Sequence, residues 1–222
     1  MASHSSAVSA VRRRKSPVRA RKGLPHRTLW IDLGGVVVRD PRPIVVEALA
    51  RRGGAPRPAL RRAYYRLSRL LDRGRIDLST MYRRLERSFP FRMDFREFRD
   101  WVERRSLNAV PRVIPALRAL HRRGRVRIVF ASNVSLSVWN GVRRRFRLRG
   151  LAKDVVLSYR VGVLKPEPAF FREAIRRTRP KETPVLYLDD AAVNVRSARR
   201  LGIDARRVTR PDQIVTLLRR LR

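Results

Sequence analysis

The strongest constraint on the fold is a series of short apolar runs that alternate with helical segments from Thr28 onward. The first run, residues 28–33 (T-L-W-I-D-L), is followed by Gly34 and Gly35, a pattern typical of a buried parallel strand. Further strands are predicted at 125–131, 154–157, 184–188 and 205–208. Apolar strands that alternate with helices predict an α/β fold, in which a parallel sheet is flanked by helices.

A long helical stretch separates the first predicted strand from the second. Gly53-Gly54, Gly74 and Pro90 divide it, and Asp77 with Ser79 is expected to cap one of its helices. Within and after this stretch, helices are predicted at 41–52, 57–71, 78–88, 94–105, 111–123, 136–148, 167–178, 192–201 and 211–221. We therefore predict a core formed by residues 28–40 and 111–222, with a helical cap, residues 41–110, inserted after the first strand.

Arginine accounts for most of the charge of this chain. Lys and Arg total 55 against 18 Asp and Glu, which gives a formal net charge of +37. The basic residues are spread over nearly every segment, whereas a dedicated nucleic-acid binder tends to concentrate them on one face. We interpret them mainly as solvated surface charge. Non-specific binding of nucleic acid or another polyanion, weakening with salt, is the alternative.

Residues 1–27 form a basic segment with Ser, Ala and Pro and without acidic residues. This composition predicts a disordered tail. It also resembles an organellar transit peptide, so an organelle is the alternative to the cytoplasmic location that we predict. No run of 18 apolar residues occurs, which argues against a membrane-spanning helix.

The residue types available restrict the kind of metal site that is possible. The chain has no cysteine and three histidines, His4, His26 and His121, two of which lie in the tail. Any metal must then be held by carboxylate and carbonyl oxygens. Such ligands favour magnesium over zinc.

Polar residues stand at the ends of three predicted strands and in one loop. Ligands of a parallel sheet bind beyond the carboxyl ends of its strands, so these positions carry the most weight. The residues are Asp32, Ser132, Asn133, Asp189 and Asp190 at strand ends and Lys165 in the loop V-G-V-L-K-P-E-P.

These side chains have a coherent chemistry if they meet at one edge of the sheet. Carboxylates in one place repel each other, and a divalent cation offsets that repulsion. A carboxylate can also act as a covalent nucleophile. The Ser132 hydroxyl could hold the oxygens of a transferred group, and Lys165 could neutralise developing charge. The alternative is structural: Ser132 and Asn133, or Asp189 and Asp190, would cap the helices that follow them.

Four motifs in these positions resemble those of the haloacid dehalogenase-like (HAD) superfamily. They are W-I-D-L-G-G-V-V-V with Asp32, V-F-A-S-N-V with Ser132, V-G-V-L-K-P-E-P-A-F-F with Lys165, and L-Y-L-D-D-A-A-V-N-V with Asp189, Asp190 and Asn194. The resemblance covers about residues 28–210 and is closest to the subgroup with a small helical cap. That subgroup includes sugar-phosphate phosphatases and 2-haloacid dehalogenases.

The resemblance implies a Rossmann-like core, Asp32 as nucleophile and a Mg²⁺-dependent reaction on a small phosphate ester through an aspartyl-phosphate. It also implies metal binding by Asp32, the Gly34 carbonyl and Asp190, with Asp189 or Asn194 supporting the bound waters. Ser132 and Asn133 would contact the substrate. The segment 73–85 lies where such caps contribute further substrate contacts.

One position departs from the phosphatase pattern. Phosphatases of this superfamily usually carry a second aspartate, which acts as acid and base, two residues after the nucleophile; here that residue is Gly34. General acid–base catalysis raises reaction rates about 10²–10⁴-fold, so the absence of this aspartate is expected to slow the hydrolysis of phosphate esters. Three interpretations follow: a phosphatase with another acid/base, a dehalogenase-type hydrolase, or a catalytically weak module that binds an anionic partner.

Overall fold

The computed structural model describes residues 27–53, 55–152, 154–179 and 185–221. The predicted tail, residues 1–27, lies outside the described residues except for Arg27. The described strands form one parallel sheet in the order β3-β2-β1-β4-β5. They are β1 (Thr28–Ile31), β2 (Arg127–Ser132), β3 (Asp154–Leu157), β4 (Val185–Asp189) and β5 (Asp204–Arg207). The predicted α/β class is confirmed.

Helices cover both faces of this sheet. The helices are α1 (Arg42–Ala50), α2 (Arg57–Asp72), α3 (Leu78–Ser88), α4 (Phe95–Asp100), α5 (Val113–Arg122), α6 (Leu136–Arg145), α7 (Ser158–Val161), α8 (Pro168–Thr178), α9 (Ala192–Arg199) and α10 (Pro211–Arg220). Alternate strand residues are buried on opposite faces of the sheet, one face against α5, α6 and α10 and the other against α8 and α9. None of the described helices is long and apolar enough to cross a membrane.

The segment between β1 and β2 is helical, as predicted, and has its own apolar cluster. Buried side chains from Val45 to Val102 pack together in this cluster. Tyr82 lies inside it and donates a hydrogen bond to the Met93 carbonyl at 3.0 Å. The Asp77 carboxylate accepts a hydrogen bond from the Thr80 amide at 2.7 Å, so the predicted cap of α3 is confirmed. We call α1 to α4, with the turn that follows α4, the helical insert.

Several predicted boundaries differ from the structure for local reasons. The first strand ends at Ile31 instead of residue 33, because the Leu33 carbonyl accepts the amides of residues 36, 37 and 38 in a tight turn. The helix predicted over 94–105 is α4 followed by a π-helical turn, Trp101–Arg105. The helix expected from residue 111 begins at Val113, because Arg112 adopts a left-handed conformation with φ 62°. The short helix α7 was not predicted.

Candidate active site

The candidate site lies at the carboxyl edge of the three neighbouring strands β2, β1 and β4. Asp32 follows the last residue of β1, and its amide donates a hydrogen bond to the Leu188 carbonyl of β4 at 3.0 Å. Ser132 ends β2 and Asp189 ends β4. The parallel order of the sheet therefore brings together residues that are about 100 and 160 positions from Asp32 in the chain.

Lys165 is buried among these strand ends. Its side chain is the centre of the site: Nζ lies 3.0 Å from Asp32 Oδ1, 2.7 Å from Asp189 Oδ2 and 3.0 Å from the Ala131 carbonyl. Only 4% of the residue is exposed. Burial alone would lower the pKa of Lys165, but the two adjacent carboxylates raise it above 10.5. The ammonium is thus charged, and it is held in the interior by the two carboxylates.

Asn133 anchors the Lys165 backbone from the end of β2. Its Nδ2 donates to the Lys165 carbonyl at 2.9 Å, and its Oδ1 accepts from the Lys165 amide at 2.8 Å. The residue that caps α6 is Ser135, whose hydroxyl accepts from the Val138 amide. Neither Ser132 nor Asn133 is needed as a cap. Asn133 acts on the position of Lys165, and its predicted contact with the substrate stays a prediction.

Asp189 is saturated by hydrogen bonds from its surroundings. Oδ1 accepts from the Ala191 amide at 2.8 Å, and Asn194 Nδ2 lies 3.0 and 3.1 Å from the two oxygens. The hydroxyl of the buried Tyr187 donates to Oδ2. Burial opposes ionisation of Asp189, but Lys165 and these donors hold its pKa below the ordinary value. The structure makes Asp189 the fixed counter-ion of the lysine.

Asp190 lies directly over the turn that follows Asp32. A Cβ placed on Gly35 would come within 2.2 Å of Asp190 Oδ2, and Gly35 has φ +76°. Only glycine fits both the backbone conformation and this close approach. Burial, and next the charge of Asp189, raises the pKa of Asp190. No side-chain bond from Asp190 caps α9, whose N-cap is Ala191.

The three aspartates form a compact acidic cluster around one lysine. Oxygens of Asp32, Asp189 and Asp190 all lie within 4.8 Å of one another. Burial raises the pKa of Asp32 to about 7, and repulsion from Asp189 adds to this, while Lys165 opposes it. Three carboxylates against one ammonium leave a charge deficit that a divalent cation would offset.

The donor set therefore fits a hard cation such as Mg²⁺. Asp32 and Asp190 offer carboxylate oxygens at the cluster, and oxygen ligands are those that Mg²⁺ prefers. Asp189 is occupied by Lys165, Tyr187 and Asn194, which fits a supporting position better than a direct ligand.

Ser132 presents a free hydroxyl beside this cluster. Only 1% of the residue is exposed, and among the described residues no partner meets its Oγ with hydrogen-bond geometry, although the hydroxyl is near enough to Asp32 to help lower the pKa of that carboxyl. A buried hydroxyl without a partner is costly, and such groups in native proteins often await a ligand. The Ser132 hydroxyl is thus available to an anion bound next to Asp32.

An open space lies next to Gly34, at the position where phosphatases of the HAD superfamily usually carry the acid/base aspartate. A Cβ on Gly34 would meet nothing within 4 Å. The space continues into a cavity of about 70 Å³ between the strand ends and the helical insert. Its walls include Gly34, Ser132 and Asn133 from the core and Asp40, Arg42 and Asp72 from the insert and the segment before it.

Sequence reasoning missed three residues of this neighbourhood: Asp72, Ser158 and Tyr187. Tyr187 lies inside β4 two positions before Asp189, so alternation along the strand was a usable signal that both point to one face. Asp72 immediately precedes the segment 73–85 that was expected to contact substrate. Ser158 had no signal, because its contacts join distant parts of the chain.

Comparisons with known proteins agree with this architecture. A HAD family enzyme from Bacteroides thetaiotaomicron, solved as a magnesium complex, superposes with a TM-score of 0.70 at 20% identity, covering 83% of this chain and 93% of that one. An L-2-haloacid dehalogenase from Xanthobacter autotrophicus with covalently bound chloropropionic acid gives 0.60 at 17% identity, covering 82% and 77%. At these identities the likeness shows the fold.

A curated relative is similar over part of its length. The glyceraldehyde 3-phosphate phosphatase of Methanopyrus kandleri is 31% identical over 105 residues, which are 47% of this chain and 45% of that protein. The match therefore spans less than half of the curated relative. The profile of the haloacid dehalogenase-like hydrolases, by contrast, matches residues 26–202. Because this match includes β1, the helical insert and all the strand-end residues described above, the chain belongs to the haloacid dehalogenase-like hydrolases.

Proposed function

We propose that this hydrolase is a Mg²⁺-dependent phosphatase that cleaves a small phosphate ester through an aspartyl-phosphate at Asp32. The observation that carries the proposal is the buried Lys165 ammonium between Asp32 and Asp189, with the Asp190 carboxylate beside them. The site has one cation for three carboxylates, which favours a bound metal and, with it, a phosphoryl group. The partial similarity to a phosphatase supports the same reaction.

Asp32, Asp190 and the Gly34 carbonyl would hold the metal, with Asp189 and Asn194 in support. When bound, Mg²⁺ supplies positive charge that neutralises the phosphoryl oxygens. The carboxylate of Asp32 is the attacking group and must be ionised. Lys165, 3.0 Å away, lowers its pKa against the effect of burial. The lysine thereby favours the ionised, reactive form of the nucleophile.

The remaining groups hold the substrate. The unpartnered Ser132 hydroxyl donates a hydrogen bond to a phosphoryl oxygen next to Asp32. Lys165 is fixed by Asn133 on its backbone and by Asp189 on its ammonium, so no reorganisation is needed as charge develops. In the first half of the reaction, an Asp32 oxygen bonds to phosphorus as the ester P–O bond breaks. In the second half, water attacks the same phosphorus and the Asp32 carboxylate is released.

The test is hydrolysis of p-nitrophenyl phosphate and a panel of alkyl phosphates with Mg²⁺ and with chelator. Asp32→Asn is expected to abolish hydrolysis because the neutral amide does not attack phosphorus. Asp212→Asn, an exposed residue of α10, is the matched control and is expected to retain wild-type rates. A wild-type protein inert on the whole panel with Mg²⁺ present would refute the phosphatase proposal.

Gly34 keeps dehalogenation as a second candidate, because a halide leaves without a proton and needs no acid at that position. Turnover of a 2-haloacid in the presence of chelator, with no phosphate-ester hydrolysis, would favour this reaction. The acidic cluster favours the phosphatase, since three carboxylates around one lysine call for a divalent cation.

Binding of an anionic macromolecule is the weaker remaining idea. Some surface arginines of the described residues are paired, as in the contacts of Arg176 and Arg177 with Glu173, and the others are spread over nearly every segment of the chain. The family and its relatives do not point to nucleic acid. If binding were the main function, nucleic-acid affinity would survive Asp32→Asn and resist physiological salt. We expect only weak binding that is lost as salt is raised.

A further inference from the structure

We infer that Asp72, the last residue of α2, is the acid/base of this enzyme and replaces the aspartate that is absent at Gly34. This inference rests on the proposed phosphatase function. Asp72 comes from the helical insert, whereas the usual aspartate follows the nucleophile in the core. Asp72 reaches the space beside Gly34 from the opposite wall of the cavity.

Asp72 and the nucleophile side of the site share one small cavity. The 70 Å³ cavity has Gly34 and Ser132 on the core wall and Asp72 on the wall of the insert. A cavity of this size holds only a few water molecules or a small leaving group. A group on one wall therefore reaches what is bound at the other, and the charge of Asp32 is felt at Asp72.

Three contacts fix the end of α2 to the core. The Ser158 hydroxyl donates to the Asp72 carbonyl at 2.6 Å and accepts from the Val134 amide at 2.9 Å, just after Asn133. Arg73 forms an ion pair with Glu167, two residues after Lys165. Gly74 (φ +68°) lies so close to the Tyr159 carbonyl that a Cβ would come within 2.6 Å. Asp72 is thus held on the core beside the loop that follows Ser132 and the loop that carries Lys165.

The Asp72 side chain is available for proton transfer. Of the described residues, Arg42, Asp40 and Asp32 act on its carboxylate through their charge, without a hydrogen bond. Burial raises the pKa of Asp72 to about 7, with repulsion from Asp40 and Asp32 adding to the effect and the Arg42 charge opposing it. Tyr64 is also in electrostatic contact with it. An acid whose pKa lies near neutrality suits a group that must both give and take a proton.

Asp40 is the competing carboxylate on the same cavity. Its Oδ1, however, accepts the Arg42 amide at 3.0 Å and the Arg42 Nε at 2.8 Å. This oxygen of Asp40 is thus occupied by two donors from Arg42, whereas Arg42 acts on the Asp72 carboxylate through charge alone. The structure therefore favours Asp72 over Asp40.

Asp72 alone can give the proton that the leaving alcohol needs and take one back from the attacking water. As Asp32 attacks phosphorus, the electrons of the breaking P–O bond move to the ester oxygen, which takes the Asp72 proton and leaves as the alcohol. The Asp72 carboxylate then accepts a proton from water as that water attacks the aspartyl-phosphate. The Asp32–phosphorus linkage breaks, inorganic phosphate leaves, and Asp72 is protonated again.

The test compares Asp72→Asn with wild type on two esters with Mg²⁺ present. With glycerol phosphate, whose alkoxide needs a proton, kcat is expected to fall by about 10²-fold or more. With p-nitrophenyl phosphate, whose leaving group needs none, nitrophenolate is expected to appear in a rapid burst equal to the enzyme. Slow turnover then follows, because hydrolysis of the aspartyl-phosphate still needs the base. Asp72→Glu is expected to recover part of the lost rate, and any loss in Asp40→Asn should be equal for both esters.

Several results would overturn the inference. One is undiminished glycerol phosphate hydrolysis by Asp72→Asn; another is the leaving-group dependence appearing in Asp40→Asn instead. Should Asp72→Asn fail to fold, Asp72→Ser, which keeps the carbonyl that Ser158 binds, is measured in the same way. A wild type inert on both esters would remove the proposed function and this inference together. An active wild type with an unaffected Asp72→Asn removes this inference alone.

Discussion

Replacing Lys165 by methionine tests directly whether its ammonium compensates the negative charge of the buried Asp32 and Asp189 carboxylates. Methionine keeps most of the apolar stem and removes the ammonium that contacts Asp32 at 3.0 Å and Asp189 at 2.7 Å. At an effective dielectric constant of about 20, each contact is worth about 5 to 6 kcal/mol before desolvation is counted. Removing the cation leaves two buried carboxylates without a counter-charge.

The net cost of breaking a buried pair in this way is about 3–5 kcal/mol. For a chain of 222 residues, that corresponds to a fall in Tm of roughly 6–20 °C. Thermal unfolding of the metal-free protein, followed by circular dichroism in chelator, measures it. Arg51→Met is the matched control, because it breaks an exposed pair with Glu47, where about 1 kcal/mol or less is expected.

The pH dependence gives a second and independent check. The pKa of Lys165 is raised, so its stabilising contribution is fully present below its ordinary value of 10.5 and is lost only at higher pH. In the variant, the pKa of Asp32, already about 7, has lost the opposing effect of Lys165 and rises further. Ionisation then disfavours the folded state, and the penalty grows as pH rises above the ordinary value of 3.8.

Lys165→Met should therefore lose more stability relative to wild type at pH 8 than at pH 5. A variant that matches wild type in Tm at both pH values would refute the reasoning. It would mean that the ammonium compensates no buried charge.

Two further substitutions test how the site is held together. Gly35→Ala is expected to push the Asp190 carboxylate aside, because the new Cβ would lie 2.2 Å from Oδ2. Mg²⁺ should then bind more weakly, so that the Mg²⁺ concentration at the midpoint of the Mg²⁺-induced rise in Tm increases about tenfold. Gly34→Ala, whose Cβ would enter open space, should have a much smaller effect; equal effects would contradict the geometry. Ser158→Ala removes the hydroxyl that binds the Asp72 carbonyl and should cost about 1–3 kcal/mol in urea unfolding. It should also slow alkyl phosphate hydrolysis more than aryl, and an unchanged ratio would argue against the anchoring of α2.

The contacts around Lys165 explain why the four motifs, three at strand ends and one in a loop, act as one site. Asn133 fixes its backbone and Asp189 fixes its charge, while Tyr187 and Asn194 orient Asp189 in turn. A buried cation with this much support loses little freedom when a substrate binds. The only hydroxyl near Asp32 that is left without a partner among the described residues is that of Ser132, which is the one proposed to meet the phosphoryl group.

The sequence by itself determined the fold class and the positions of the charged residues of the core. Apolar strands that alternate with helices permit little else than a parallel sheet, and a polar residue directly after such a strand must lie at its carboxyl edge. For that reason Asp32, Ser132 and Asp189 could be placed at one edge before any coordinates were known. Lys165 could be named as a candidate in a loop before a helix, but its position beside Asp32 does not follow from periodicity.

Only the tertiary structure decided which role each residue has at that edge of the sheet, and which residue the helical insert adds to the site. Whether Asp189 binds a metal or a lysine depends on distances between strands, and whether Asp190 can approach Asp32 depends on the turn at Gly35. The position of Asp72 over the space at Gly34 depends on how the end of α2 docks against Ser158, 86 residues away in sequence. Local pattern carries no information about contacts between such distant segments, because they follow from the packing of the whole chain.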